Sequence, residues 1–278
     1  MSVRISTAAL CRRAGISRQN FYKGRRHCLR RHVDADLIES LVIEERKLQP
    51  RLGGRKLYYL LKPKLEEAGV KIGRDRFFKV LSERRLLLEP LPRSPRTTNS
   101  RHSLPVFPNL FSKGEQTAPN QAWVSDVTYI RTEEGFVYLC LITDAWSRKI
   151  VGYYASDSLE TSGCVRALER AAATLRGGEH PLHHSDRGCQ YCSHAYVGKL
   201  RELGLPISMT EELHCYENAK AERVNGILKQ EYGLGSSFRS KRQARESIDQ
   251  AIFLYNTRRP HLSLNYKTPE EMHASKVA

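Results

Sequence analysis

The sequence predicts an α/β protein: a mixed five-stranded sheet with flanking helices, preceded by small all-α units. Three observations predict it. Strand-like and helix-like runs alternate from Trp123 onward. Residues 1–88 read instead as short amphipathic helices punctuated by glycine. Five of the twelve prolines (90, 92, 95, 105 and 108) fall between these two regions. The chain accordingly divides into an N-terminal helix-turn-helix-like segment (1–33), a second helix-turn-helix-like unit (34–88), a Pro-rich linker (89–118), an α/β core (119–235) and a C-terminal helix and tail (236–278).

Charge follows the same division. The formal charge of +16 is uneven: residues 1–115 hold 26 Lys+Arg against 11 Asp+Glu, or +15, and residues 116–278 hold 20 against 19, or +1. The first part is a polyanion-binding surface and the second a nearly neutral globular body. No apolar stretch approaches the ~20 residues of a membrane span, and no signal-like apolar run follows Met1. Nucleic acid is therefore the expected partner, without a membrane. The seven cysteines show no disulfide framework, which fits free thiols and a cytoplasmic location.

In the basic part, residues 6–22 read as helix, turn, helix. Gly15 suits the turn, and Ser17 is an N-cap for a second helix whose Arg18, Gln19 and Asn20 can reach phosphates or base edges. A helix over 34–49 carries Leu37, Leu41 and Leu48 inward, until Gly53 and Gly54 break it. A second runs over about 55–68, with a kink expected at Pro63, and a third over about 74–87 on Phe77, Phe78, Val80 and Leu81. Arg51, Arg55, Lys56, Arg74 and Arg76 stand outside this unit as candidate DNA contacts.

In the core, residues 123–130, 136–143 and 149–155 form three antiparallel strands, the second apolar enough to be buried on both faces. A helix over about 162–175 turns Val165, Leu168, Ala172 and Leu175 inward. A short strand, 181–185, delivers Asp186; Ser193 caps a helix through Leu203; and residues 206–209 are the fifth strand. A helix around Glu222 follows, then one capped by Ser240 with Ala244, Ile248, Ile252 and Tyr255 on one face. Three antiparallel strands followed by two parallel ones reached through helices make the ribonuclease-H-like arrangement.

Three carboxylates stand out in this frame: Asp126 in mid-strand, Asp186 at a strand end, and Glu222 on a helix 35 residues beyond Asp186. Hard divalent cations take oxygen ligands, and two Mg²⁺ ions (or Mn²⁺ in their place) can stabilise both the attacking and the leaving oxygen at a phosphodiester. Each residue also has a plainer role. Asp126 can be satisfied by backbone donors, Asp186 can make an Asx turn before Arg187-Gly188, and Glu222 can be a solvated helix residue. Lys229 lies two helical turns after Glu222 on nearly the same face, placed to meet a phosphate. Asp144, before a turn, is the decoy carboxylate. Cys189 and Cys192, with His183, His184, His194, His214 and Cys215 nearby, make only a weak zinc signal, because His183 and His184 point to opposite faces of their strand. Arg258, Arg259 and His261 either contact DNA or anchor the C-terminal segment.

The runs WVSDVTYI, HSDRGCQY and ENAKAERVNGILKQEY resemble the two Asp motifs and the Glu helix of the DDE transposases and integrases. The resemblance is nearest to the catalytic (OrfB) proteins of bacterial insertion sequences of the IS3 family. It extends from about residue 35, through GGRKL (53–57), to YNTRRPHLSLNYKTPEE (255–271). It implies Asp126, Asp186 and Glu222 as catalytic metal ligands, cutting and joining at terminal inverted repeats through a circular intermediate, a homo-oligomer on DNA, and fusion to an upstream OrfA product by frameshifting. Cys189 and Cys192 stand where Ser and Thr are commoner, and no long leucine-zipper run is present. Two other functions stay open at this point: a DNA-binding regulatory protein with an inactive core, and a simple ribonuclease-H-type hydrolase.

Overall fold

The computed structural model describes residues 6–89, 104–211 and 218–275. Two compact units result: Met1–Lys47 with Gly53–Leu88, and Leu48–Leu52 with Glu89–Ala278.

The first unit is helical. Helix α1 (Thr7–Arg13) is capped by Ser6, whose hydroxyl accepts from the Ala9 amide at 3.2 Å. Gly15 turns the chain at φ +67°, and Ser17 accepts from the Asn20 amide at 3.1 Å to open α2 (Arg18–Leu48). The helix expected to begin at 34 is thus the second half of one 31-residue helix, since nothing after Ser17 stops it. Its buried side is Ala35, Ile38, Val42 and Glu45, whereas the expected Leu48 is exposed. Positions 37, 38, 41 and 42 form one broad apolar stripe, and the β-branched pair occupies its centre. Helix α3 (Gly54–Glu67) buries Leu57, Leu61 and Leu65, and Pro63 lies inside it without ending it. Helix α4 (Arg74–Glu83) buries Phe77, Val80 and Leu81. It stops short of residue 87 because Arg85 takes φ +55°, and the Leu86 amide returns to the Leu81 carbonyl at 2.7 Å.

The second unit is built on a sheet of order β3-β2-β1-β4-β5. Strands β1 (Ala122–Thr132), β2 (Gly135–Asp144) and β3 (Ile150–Ser156) are antiparallel; β4 (Leu182–Ser185) and β5 (Ile207–Met209) join in parallel. Alternation along the strands divides the core in two. Trp123, Cys140, Ile142 and Val151 pack on one side under α5 (Thr161–Ala172), α6 (Cys189–Cys192) and α7 (His194–Glu202). Ile130, Leu139, Leu141 and Ile150 pack on the other under α8 (Ala219–Glu231) and α9 (Lys241–Thr257). The inward face of α5 is Gly163, Cys164, Ala167, Leu168 and Ala171, about one position from the expected Val165, Ala172 and Leu175. The cause is close approach. A Cβ on Gly152 of β3 would stand 2.5 Å from the Ala167 carbonyl, so only a small-residue face fits there.

Residues 90–103 of the expected linker lie outside the described residues, but 104–118 belong to the sheet unit. The Met209 amide donates to the Pro108 carbonyl, and the Leu110 and Phe111 amides donate to Ser208 Oγ at 2.9 and 3.2 Å. Beyond α9, a capping box of Thr268 and Glu271 starts the short α10 (Pro269–Ala274), which periodicity did not announce. Among the described residues no helix is long and apolar enough to cross a membrane.

Candidate active site

Strand β1 runs through the centre of the sheet, with Asp126 opposite Leu141 of β2. On its other side β1 pairs in parallel with β4 through Ser125 and Ser185. The residues that follow this pair are Asp126 and Asp186. Parallel register therefore sets the two carboxylates on adjacent chains, about one strand spacing (~4.8 Å) apart. There β4 ends, so Asp186 leaves the sheet and accepts from the Gly188 amide at 2.9 Å, as an Asx turn would.

Helix α8 supplies the third carboxylate and its positioning. Asn218, Glu222, Asn225 and Lys229 fall at i, i+4, i+7 and i+11, one polar stripe along the helix. Two of the four tie it to β1: Asn218 Nδ2 donates to the Ser125 carbonyl at 3.0 Å, and Asn225 Nδ2 donates to Asp126 Oδ2 at 2.8 Å. Ala221, Val224, Ile227 and Leu228 pack the adjoining face. Sequence reasoning missed both asparagines, although the i, i+4, i+7, i+11 spacing around Glu222 was the available signal.

The electrostatics follow from this crowding. Burial pushes the Asp126 carboxyl up, neighbouring Asp186 pushes it further, and Glu222 adds a smaller push. The Asn225 amide and the Val127 N–H (2.9 Å) pull it back, and the result is about 7. Glu222 itself is exposed in the first turn of α8. Lys229 is half-buried: desolvation lowers its pKa, and the Asp126 charge opposes that shift. The two acidic strand positions and the basic helix position thus share one electrostatic environment. Among the described residues no three His, Cys, Asp or Glu side chains converge closely enough to enclose an ion unaided. The donor set nonetheless fits a hard divalent cation: all oxygen, and with Asp126 destabilised as an anion by two like charges that a cation would offset.

The remaining candidates sort clearly. Asp144 is wholly buried. Burial would raise its pKa, but hydrogen bonds from His273, from the Ser147 side chain and amide and from the Asn120 amide outweigh it and hold the group low. It is the structural clamp of the β2–β3 turn. His183 faces Tyr191 and Tyr196, with Nε2 2.7 Å from Ser125 Oγ and 2.8 Å from Tyr196 Oη; burial first, and His184 next, hold its pKa down to about 3. His184 faces the other way, stacked on Phe111, so the two rings are split as expected. Cys189 is exposed and Cys192 buried, while residues 212–217, including His214 and Cys215, lie outside the described residues. Arg259 is no displayed cation: it is 2% exposed, forks onto Glu231 at 2.8 and 2.7 Å and lies over Tyr255. His261 is buried against Tyr255. Arg259 and His261 thus serve as anchors of the C-terminal segment.

Of the basic candidates in the first 88 residues, Arg18 and Arg55 are exposed and Lys56 half-exposed. Arg74 pairs with Asp75 at 3.0 Å and Arg76 with Glu83 at 3.6 Å. Arg51 is half-buried. Its amide donates to the Glu231 carbonyl and its guanidinium to the Glu89 carbonyl, so it fastens the segment Leu48–Leu52 into the sheet unit.

Known proteins resemble both the sequence and the fold. The integrase core domain family matches residues 116–215, and a second integrase core model matches residues 203–269. The chain is 34% identical over 264 residues to the uncharacterized 31 kDa protein of insertion element IS600 of Shigella sonnei, covering 94% of this chain and 96% of that one. It is 35% identical to the transposase of insertion sequence IS629 of Shigella sonnei (63% of this chain, 59% of the relative). Against the InsF transposase of IS3A from Escherichia coli K12 it is 34% identical (64% of this chain, 62% of the relative), so it spans about three fifths of these two transposases. Among solved structures, a simian T-cell lymphotropic virus intasome in complex with a PP2A regulatory subunit aligns at TM-score 0.50 and 18% identity over 80% of this chain and 75% of that one, which shows the fold. With an integrase core across its sheet unit and near-complete alignment to an insertion-element protein, the chain belongs to the IS3-family insertion-sequence transposases, polynucleotidyl transferases of the DDE type.

Proposed function

We propose that Asp126, Asp186 and Glu222 are the catalytic carboxylates and that they hold two Mg²⁺ ions, with Mn²⁺ as a substitute. The observation that carries the reading is the elevated Asp126 carboxyl, raised by burial and then by Asp186 and Glu222 in a site tied together by Asn225. A site for three mutually repelling carboxylates on strand, strand end and helix costs stability unless a cation joins it. When bound, the metal supplies Lewis-acid stabilisation of charge on the entering and leaving oxygens of a phosphodiester.

The chain's own residues orient and hold the rest. Asn225 and the Val127 amide fix the Asp126 carboxylate, the Asx turn fixes Asp186, and Lys229 receives a phosphate beside the reacting one. In cleavage, a water oxygen forms a bond to phosphorus and the P–O3′ bond breaks, freeing a 3′-hydroxyl. In joining, that 3′-hydroxyl forms the new P–O bond and a target 3′-oxygen departs. The DNA substrates are the element's terminal inverted repeats and the target, worked on by a homo-oligomer, with an upstream OrfA product as a further partner. Arg18, Arg51, Arg55, Lys56, Arg74 and Arg76 provide DNA contacts from the basic part of the chain.

The test is Mg²⁺-dependent cleavage and joining of element-end DNA by the wild type and by Asp126→Asn, Asp186→Asn and Glu222→Gln. Each amide keeps shape and loses the charge that binds metal, so joining should disappear while end binding persists. Near-normal joining by any one variant would remove that residue from the set. DNA binding without any joining by the wild type would leave a regulatory protein with an inactive core.

A further inference from the structure

The two halves of helix α2 have different surroundings. From Ala35 onward it buries one face; over residues 18–33 every side chain except half-buried Phe21 is exposed. That exposed stretch carries Arg18, Lys23, Arg25, Arg26, Arg30 and Arg31, with His27 and His32, and no Asp or Glu. A helix normally places acids in its first turn and avoids like charges at i,i+4. Here the first turn has no acid and begins with Arg18, and Arg26 stands one turn from Arg30, as His27 does from Arg31. Of the three acids just downstream, Asp36 and Glu39 are taken by Arg84, which leaves Asp34 alone within one turn of Arg30 and Arg31. Gly24 weakens the same stretch further. The half-helix therefore breaks several local rules at once without a packed face to compensate, and such conflicts are expected where a ligand completes the structure.

We propose that residues 18–33 of α2 form a groove-lying DNA helix, inserted along the major groove with its cations on the flanking phosphates and Gln19 and Asn20 at the base edges. This inference rests on the DNA-processing function above and extends the contact surface well beyond Arg18. The dimensions agree. Sixteen residues make a rod of about 24 Å and some 10–12 Å in diameter, and the major groove is about 12 Å wide. Phosphates on both walls supply the negative charge that the helix lacks on every side. Besides half-buried Phe21 and exposed Cys28, the apolar side chains in this stretch are Tyr22, Leu29 and Val33 at 40, 58 and 67% exposure; they share one face, but Arg26 occupies the seam position between Tyr22 and Leu29 and interrupts a coiled-coil pattern. They suit the floor of a groove, against thymine methyls and sugars. Arg30 is the cation with a further tie, 3.4 Å from the Gly69 carbonyl, so it is left intact in the test.

The experiment uses the full chain and a mixed-sequence DNA duplex. Wild type, Arg25→Gln/Arg26→Gln/Arg31→Gln and the corresponding triple Lys variant are compared by fluorescence anisotropy across a salt titration. Amide hydrogen exchange of residues 18–33 is followed with and without duplex, and the guanine N7 methylation interference pattern is recorded. Phosphate contacts by three arginines predict a slope of log Kobs against log salt that is shallower by about 2–3 in the Gln variant and restored in the Lys variant. Duplex should slow exchange throughout 18–33, and N7 methylation should interfere. An unchanged slope, or equal protection by phosphatidylserine vesicles, overturns the inference. Metal-dependent joining by the wild type is scored in the same preparation. Joining with an unchanged slope discards the groove helix and keeps the transposase reading, whereas absence of joining strikes the reading itself.

Discussion

Asn225 Nδ2 donates to Asp126 Oδ2 at 2.8 Å, three residues along the helix from Glu222. One amide thereby sets both the direction of the strand carboxylate and the distance of the helix that brings the third acid. Because this hydrogen bond favours the ionised form, its loss has a definite sign.

Asn225→Ala should raise the Asp126 pKa above about 7, since a contribution that lowers it is removed. The acid limb of the pH–rate profile for joining should move up by about one unit, the scale of one hydrogen bond to a charged group. A profile that falls in amplitude without moving would mean that Asn225 only holds the helix in place.

Asp126 also makes stability depend on pH. Its folded pKa is raised from 3.8 to about 7, so between those values the native state binds more protons than the unfolded chain. Metal-free stability should fall as pH rises through this window, and Asp126→Asn should flatten that fall. At pH 8 the variant should exceed the wild type by on the order of 2 kcal/mol, after allowance for screening at a partly exposed site. Urea unfolding in EDTA at pH 5 and pH 8 measures it; parallel pH dependences for the two proteins would contradict the shift. Adding Mg²⁺ should stabilise the wild type at pH 8 more than at pH 6, because the proton must leave first.

Lys229→Ala should weaken placement of the DNA end more than it weakens metal binding. The loss of one charged contact costs on the order of 1–3 kcal/mol, and high DNA concentration should recover part of the rate. Joining rate against end-DNA concentration at fixed Mg²⁺ decides. Superimposable curves would make Lys229 a spectator, and a raised Mg²⁺ requirement with unchanged DNA dependence would place its effect on the metal.

Arg259→Ala should unfold the C-terminal anchor rather than weaken DNA binding. Its guanidinium is almost fully buried on Glu231, and removing one partner of such a pair costs about 3–5 kcal/mol. Thermal and urea unfolding should register that loss, whereas Arg259→Met with Glu231→Leu should recover much of it. Normal stability with weaker DNA binding would return Arg259 to the list of DNA contacts.

The sequence alone determined the succession of strands and helices along the chain, the two Asp positions and the Glu helix, because period-2 and period-3.6 patterns and turn residues are local signals. It also located the caps at Ser17, Ser193 and Ser240, each of which accepts the expected amide. Tertiary structure decided what local signals cannot carry. Parallel register placed Asp186 beside Asp126, and the choice of inward face on α5 was made by Gly152, a residue on another element. The same holds for Asn218 and Asn225, which read as ordinary polar helix residues until β1 lies against them. Arg259, by its charge a surface residue, is buried because Glu231 and Tyr255 meet it from elsewhere in the chain. The reason is common to all four: a pattern along one segment fixes which side chains share a face, but the room a face has and the energy of a buried polar group depend on partners that arrive from distant segments.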